Sequence, residues 1–189
     1  MKNLKRNQPN VRWVLGIDPS GNFDEGKGTT GWCLLDRATD SIVKCGYIQA
    51  SNFEAQMNYW NAHVELLTAV KGYCIGQGDL VISLEDYLLY AKSAQSQTNS
   101  RMETCQIIGV IKFWLHCNKV PLYVRKAAAV KRRWTDTILC NKNYIRKAET
   151  AYYTQCKAQA LKEHERDAIR HAVHCSVFEL EAYVNVSRT

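Results

Sequence analysis

Apolar positions along this chain change rhythm several times, and each change marks an element. Residues 11–17 form an apolar, β-branched run suited to a buried strand, and Pro19 and Gly21 cannot continue it. A glycine-rich connection, Asn22-Phe23-Asp24-Glu25-Gly26-Lys27-Gly28, leads to residues 29–35, and a polar turn then leads to residues 42–50, both read as strands. These three short-linked strands are expected to be antiparallel. Over residues 53–74 the period lengthens, with Met57, Trp60, Val64, Leu67 and Val70 forming the stripe of an amphipathic helix. Gly76-Gln77-Gly78-Asp79 ends it, and Leu80-Val81-Ile82-Ser83-Leu84 follows as a strand that the helical crossover makes parallel to the first. A polar connection over 88–99 precedes a second helix, residues 101–117. Its Ile107, Ile108, Val110, Ile111, Phe113, Trp114 and Leu115 cover more than one face, which predicts burial on two sides, by the sheet and other helices or by a second subunit. Residues 121–124 form a short strand, and residues 163–184 a closing helix with Ile169, Ala172, Val173, Ser176, Leu180 and Tyr183 on its packing stripe. The order βββαβαβα, with some extra helix, predicts an α/β fold: a mixed five-stranded sheet, three antiparallel strands then two parallel, flanked by helices.

Acids at the ends of these elements carry the first chemical signal. Asp18 closes the first strand, Glu85 and Asp86 close the Leu80 strand, and the parallel crossover sets Glu85 beside Asp18. Strand alternation turns Asp86 to the opposite face from Glu85. Asp167 lies in the opening turn of the last helix, with His164 on the same face. Carboxylates gathered from separate elements repel one another unless a divalent cation sits between them. Asp18, Glu85, Asp167 and His164 are therefore candidate metal and catalytic residues, with Asp18 bridging and His164 either a ligand or a proton-handling neighbour. Oxygen donors suit Mg²⁺, and Mn²⁺ substitutes readily where an imidazole joins them. The competing structural readings are a turn-forming Asp before Pro19, a solvated strand end at Glu85, and polar decoration of a helix N-terminus at His164 and Asp167. At roughly 100° per residue, Asp167 falls about 160° round the helix from Ile169, which places it outside the packed stripe, in a groove at its margin. His171 and His174 continue its face but read as surface or packing residues, and a zinc site from them with Cys175 lacks a second ligand cluster.

Taken together, Gly16-Ile17-Asp18-Pro19-Ser20, Thr30-Gly31-Trp32, Ser83-Leu84-Glu85-Asp86-Tyr87, Gln106 with Gly109, Val130-Lys131 and His164-Glu165-Arg166-Asp167-Ala168 resemble the RuvC-like Holliday-junction resolvases of the RNase H-like superfamily, in their phage-encoded form. The resemblance spans most of the chain and implies an RNase H-like fold, a dimer, and metal-dependent DNA cleavage by paired nicks that leave 5′-phosphate and 3′-hydroxyl ends. It also places Lys131 and Lys142 where the family carries basic residues near the scissile phosphate. Many members have a carboxylate where His164 stands, so the role of His164 departs from the pattern.

Charge and cysteine usage narrow the partners. The 189 residues suit one domain, residues 11–189, behind a basic tail over residues 1–10. A formal charge of +7 and a pI near 9.0 favour a polyanion. Residues 125–147 are the most basic stretch, and Lys131, Arg132, Arg133, Lys142, Arg146 and Lys147 are candidate DNA contacts, with Tyr90 and Lys92 in the polar connection after Glu85. Tyr87 is either core or a stacking platform. Eight cysteines without a CxxC pair, and no apolar targeting run, suit a reducing cytoplasm. Three rival functions stand beside junction resolution. The first is a broader flap, fork or RNA/DNA-hybrid nuclease, and the second a non-catalytic junction-binding protein. The third is a sugar-kinase-like or actin-like ATPase, which needs about twice this length.

Overall fold

A computed structural model of the chain describes residues 11–87 and 102–180. The sheet comprises β1 (Val11–Asp18), β2 (Thr29–Asp36), β3 (Ser41–Gln49), β4 (Asp79–Asp86) and β5 (Leu122–Lys126). Its spatial order is β3-β2-β1-β4-β5. β1, β2 and β3 pair antiparallel, whereas β4 pairs parallel with both β1 and β5. This is the mixed RNase H-like sheet expected from the element order. α1 (Gln56–Cys74) and α2 (Glu103–Asn118) cover one face, and α5 (Glu163–Phe178) lies across the other. Two short helices, α3 (Ala127–Arg133) and α4 (Asp136–Asn141), and a hairpin, β6 (Arg146–Ala148) with β7 (Ala151–Tyr153), fill the sequence between β5 and α5.

Strand alternation sorts the core into two halves. Trp13, Leu15 and Ile17 of β1 and Leu80, Ile82 and Leu84 of β4 join the cluster under α1 and α2. Val14 and Val81 point the other way, into the cluster under α5. Continuing that alternation, Asp18 and Glu85 fall on the α5 face and Asp86 on the opposite one. A register shift between Val11 and Trp13 lets those two residues face opposite clusters.

α5 comes unusually close to the sheet because glycines sit beneath it. A Cβ on Gly16 would collide with the Ala168 carbonyl and the Ala172 amide, and one on Gly31 with the backbone of His164 and Glu165. Ala168 and Ala172 supply the matching small surface on the helix. The sequence stretches around Asp18 and Thr30 thus encode the docking of the last helix as well as their own strands.

Four expectations are corrected. The buried stripe of α1 is Tyr59, His63, Leu67, Val70 and Cys74, whereas Met57 is 58% exposed and Trp60 and Val64 are half-buried. The phase differs because Tyr59 and His63 find polar partners on the turn after β1 and on β2, so their rings are buried without losing hydrogen bonds. α2 is buried through Ile107, Ile108, Ile111, Trp114 and Leu115, but Phe113 is 71% exposed, so its second side is open in the single chain. The last helix ends at Phe178, and residues 181–184, Tyr183 among them, lie outside the described residues. Finally, α3 and α4 are short helices that appear in the sequence only as a basic stretch. They plug the α5-side cluster with Val130, Trp134 and Leu139. Among the described residues no helix is long and apolar enough to cross a membrane.

Candidate active site

The parallel register Ile17↔Leu84 brings the ends of β1 and β4 together, so Asp18 and Glu85 follow side by side. Across from them runs the first half of α5. His164 Nδ1 lies 2.6 Å from Asp18 Oδ2. Two turns further along the same helix, His171 Nε2 lies 3.1 Å from Glu85 Oε2. Since Nδ1 of His171 meets no polar partner among the described residues, its Nε2 carries the proton and donates to Glu85. Asp167 accepts from Lys131 Nζ at 2.7 Å and from the Arg170 guanidinium one turn on. Arg170 also pairs with Asp136 and donates through Nε to the Trp134 carbonyl at 2.8 Å, which ties α5 to α4.

The first turn of α5 is held from outside the site. Glu165, fully buried, accepts the Lys162 backbone N–H at 2.8 Å and a Lys157 Nζ at 2.5 Å, so it caps the helix from within its first turn. On the other side of the sheet, the Tyr59 hydroxyl donates to the Ser20 carbonyl at 2.5 Å and Ser20 N–H donates to Thr30 Oγ1 at 3.1 Å. The turn that follows Asp18 is therefore pinned from behind. Gly21, where a Cβ would strike the Glu103 and Thr104 backbone, lets the N-terminus of α2 close on that turn, and Glu103 accepts the Phe23 N–H at 2.7 Å.

Electrostatics identify Asp18 as the strained member. Burial raises its pKa from 3.8 to about 6, the hydrogen bond from His164 works against that, and the charges of Glu85 and Asp167 add to it. The same hydrogen bond lifts His164 above its ordinary range. Burial lowers the pKa of Lys131, but its bond to Asp167 and the charges of Asp167, Glu85 and Asp18 outweigh that and leave it raised. Three carboxylates feel one another across two strands and a helix, with one lysine among them.

Hard oxygens plus an imidazole are the donor set a divalent cation of the Mg²⁺ or Mn²⁺ kind takes, and the crowding at Asp18 is what such a cation would relieve. The donors fit in kind. As they stand, no group of three His, Cys, Asp or Glu side chains among the described residues converges closely enough to hold an ion, because Asp167 is engaged by Lys131 and Arg170.

Several sequence expectations change here. Asp167 does not lie at an exposed margin: it is 2% exposed, because α3 and α4 cover the side of α5 that the sheet leaves open. His171 is not a surface residue: it is packed in the interior, 1% exposed, and bonded to Glu85. Arg170 was not anticipated, although its spacing from Asp167 is that of a helical ion pair. Of the basic residues expected at DNA, only Lys131 pairs with one of the acids among the described residues. Arg132, Arg133, Lys142, Arg146 and Lys147 are exposed, with Arg133 over the Phe178 ring, Arg146 over Tyr153 and Lys147 over Tyr152. Tyr90 and Lys92 lie outside the described residues. Tyr87 packs against the core under α1 and α2.

The strand order, with helices on both faces of the sheet, defines an RNase H-like fold. Among solved structures, the chain is similar to RuvC of Thermus thermophilus in complex with Holliday junction substrate, at TM-score 0.59 and 13% identity over 87% of this chain and 92% of that one. A second Thermus thermophilus RuvC structure matches at TM-score 0.55 and 14% identity, over 87% of this chain and 93% of that one. No family model and no curated protein matches the chain.

Proposed function

We propose that this chain is a metal-dependent, structure-selective endodeoxyribonuclease that resolves four-way DNA junctions by paired symmetric nicks, working as a homodimer with one site in each copy. The observation that carries the reading is Asp18: a carboxylate beside Glu85, bonded to His164 and raised in pKa by burial and, less, by both other acids. Asp18, Glu85, Asp167 and His164 would hold Mg²⁺, with Mn²⁺ as a substitute. Such ions activate water and neutralise charge on a phosphodiester. The chain's own contribution is to hold those donors on two rigid strands and a buried helix, and to keep Lys131 charged beside them. Lys131, half-exposed beside Asp167, would meet a phosphate oxygen as negative charge develops. Arg132, Arg133, Lys142, Arg146 and Lys147 supply backbone-phosphate contacts that carry no sequence information. Residues 11–189 act as one catalytic unit, and the likeness to a RuvC bound to a Holliday junction supports branched DNA as the substrate.

Dimerisation draws support from α2. Phe113 projects from a largely apolar groove of about 420 Å³ lined by Val64, Gly109, Val110, Trp114 and Cys117, the open side of a helix already packed on its other face. Two sites facing opposite strands are what paired nicking requires.

The test is cleavage of labelled four-way junctions, forks, flaps, linear duplex and RNA/DNA hybrid, with Mg²⁺ or with chelator, by the wild type and Asp18→Asn, alongside sedimentation of the protein. Symmetric nicks confined to the junction, lost with chelator and with the substitution, from a dimer, support the reading. Equal cutting of every branched substrate makes it a general branched-DNA nuclease. Tight junction binding without cleavage makes it a non-catalytic binder, a result consistent with Asp167 staying on Lys131 and Arg170.

A further inference from the structure

Cysteine chemistry plays no part in the nuclease reading, yet two of the eight cysteines meet. Cys45 on edge strand β3 and Cys156 just beyond β7 lie 111 positions apart in sequence with their Sγ atoms 3.9 Å apart. Thr154 joins them, its Oγ1 lying 3.6 Å from Cys45 Sγ and 3.3 Å from Cys156 Sγ. Cys156 is exposed and Cys45 half-buried, whereas Cys33, the cross-strand partner of Cys45, is fully buried and shielded from solutes.

The surroundings divide the two roles of a reactive dithiol. Cys156 Sγ accepts from the Cys45 thiol and from Thr154, which favours its thiolate and brings its pKa down to about 6. Cys45, which gives that hydrogen bond and is partly buried, is raised and stays protonated. An exposed thiolate beside a protonated resolving thiol is the arrangement that hydroperoxides oxidise selectively.

We propose that Cys156 and Cys45 form a hydroperoxide-reactive dithiol that closes to a disulfide and fastens the segment leading into α5 onto the edge of the sheet. The Cys156 thiolate attacks one oxygen of hydrogen peroxide, the O–O bond breaks, and hydroxide leaves and takes up a proton, so that Cys156 becomes a sulfenic acid. Cys45 Sγ then attacks the Cys156 sulfur and gives up its proton, and water leaves as the S–S bond forms. Two thiols lose two electrons in all, and one peroxide becomes two waters. The sulfurs close from 3.9 Å to about 2.05 Å, a movement that side-chain rotation at exposed Cys156 can supply. The fastened segment matters because Lys157 next to it holds Glu165, the residue that caps the helix carrying His164 and Asp167. In a reducing cytoplasm the bond would form only under oxidant load and reopen afterwards.

The experiment uses the full chain, reduced, desalted, exposed to hydrogen peroxide, blocked with iodoacetamide and digested with trypsin without reduction. Cleavage after Lys44 and Lys71, and after Lys147 and Lys157, yields one peptide holding Cys45 alone and one holding Cys156 alone. The expected product is the linked pair of these peptides from monomeric chains, cleaved by dithiothreitol, with a raised Tm in the oxidised protein. Cys45→Ser should leave Cys156 as a sulfenic acid that dimedone traps, and Cys156→Ser should slow peroxide consumption by roughly tenfold. Oxidation that spreads equally to exposed Cys117, or a link that forms only between chains, or Cys156 passing to the sulfinic acid with Cys45 present, would overturn the proposal.

Discussion

His63 offers a measurable grip on the turn behind Asp18. The ring is 1% exposed, and its Nδ1 lies 2.7 Å from the Tyr59 carbonyl, so Nδ1 carries the proton and donates. Nε2, 2.9 Å from Thr30 Oγ1, must then accept, and the same Thr30 oxygen receives the Ser20 N–H. This chain of bonds requires a neutral ring, and burial enforces it by lowering the pKa of His63 from 6.5 to about 4. An unfolded chain takes up the proton near 6.5 while the folded one resists to about 4, so across that window the unfolded state binds more protons and stability falls as pH falls. At about 1.4 kcal/mol per pH unit the gap amounts to about 3 kcal/mol, lost between about pH 7 and pH 4. That is a large share of the roughly 5–15 kcal/mol that holds a typical domain. His63→Gln keeps an acceptor for Thr30 and cannot titrate. Urea unfolding in metal-free buffer should find the variant about 1 kcal/mol less stable near neutrality. The gap should shrink below about pH 6.5 and reverse by about pH 4, and taking the difference between the two proteins cancels every other titrating group. A difference that stays constant from about pH 7 to pH 4 refutes the assignment of a buried neutral His63.

Three further outcomes follow from the contacts at the site. Gly31→Ala should cost about 2–3 kcal/mol in urea unfolding, because its Cβ meets helix backbone, whereas Gly72→Ala, with nothing within 4 Å, should be neutral or stabilising. His171→Gln should lower the junction-cleavage rate by about 10–100-fold while leaving junction affinity within about twofold, since it orients Glu85 without facing solvent. Lys131→Met should lower the single-turnover rate by about 100-fold, whereas Arg132→Met should weaken binding and flatten its salt dependence by about one ion without changing that rate.

The sheet was legible because its central strands are short apolar runs whose ends are punctuated by Pro19, Gly21, Gly76 and Gly78. Asp18 and Glu85 were legible for the same reason, since a parallel crossover and alternation place them side by side on one face. The exposure of α5 was not. Helical periodicity locates the apolar stripe, but it cannot report that α3 and α4 close over the polar side, because two helices of 7 and 6 residues leave too short a pattern to read. The phase of α1 failed in a related way. Met57 and Trp60 outrank Tyr59 and His63 in hydrophobicity, yet Thr30 and the Ser20 carbonyl, distant in sequence, make the two polar rings the better ones to bury.

That burial also explains how a helix carrying His164, Glu165, Asp167, Arg170 and His171 can lie across the sheet at all. Each of these groups meets a partner from a different place: Asp18 on β1, Lys157 before the helix, Lys131 on α3, Asp136 on α4 and Glu85 on β4. Beneath them, Ala168 and Ala172 lie against Gly16, and Ile169 and Val173 fill the core beside them. Turning α5 by one residue would set Asp167 and His171, or Ile169 and Val173, against Gly16 and strip these charges of their partners, and an unpaired buried charge costs about 3–5 kcal/mol. Polar and apolar contacts therefore set the rotation of the helix together, and the rotation sets which acids face Asp18. Helix placement and site assembly are one constraint, met by the same residues, which is why losing any single partner is expected to disturb both.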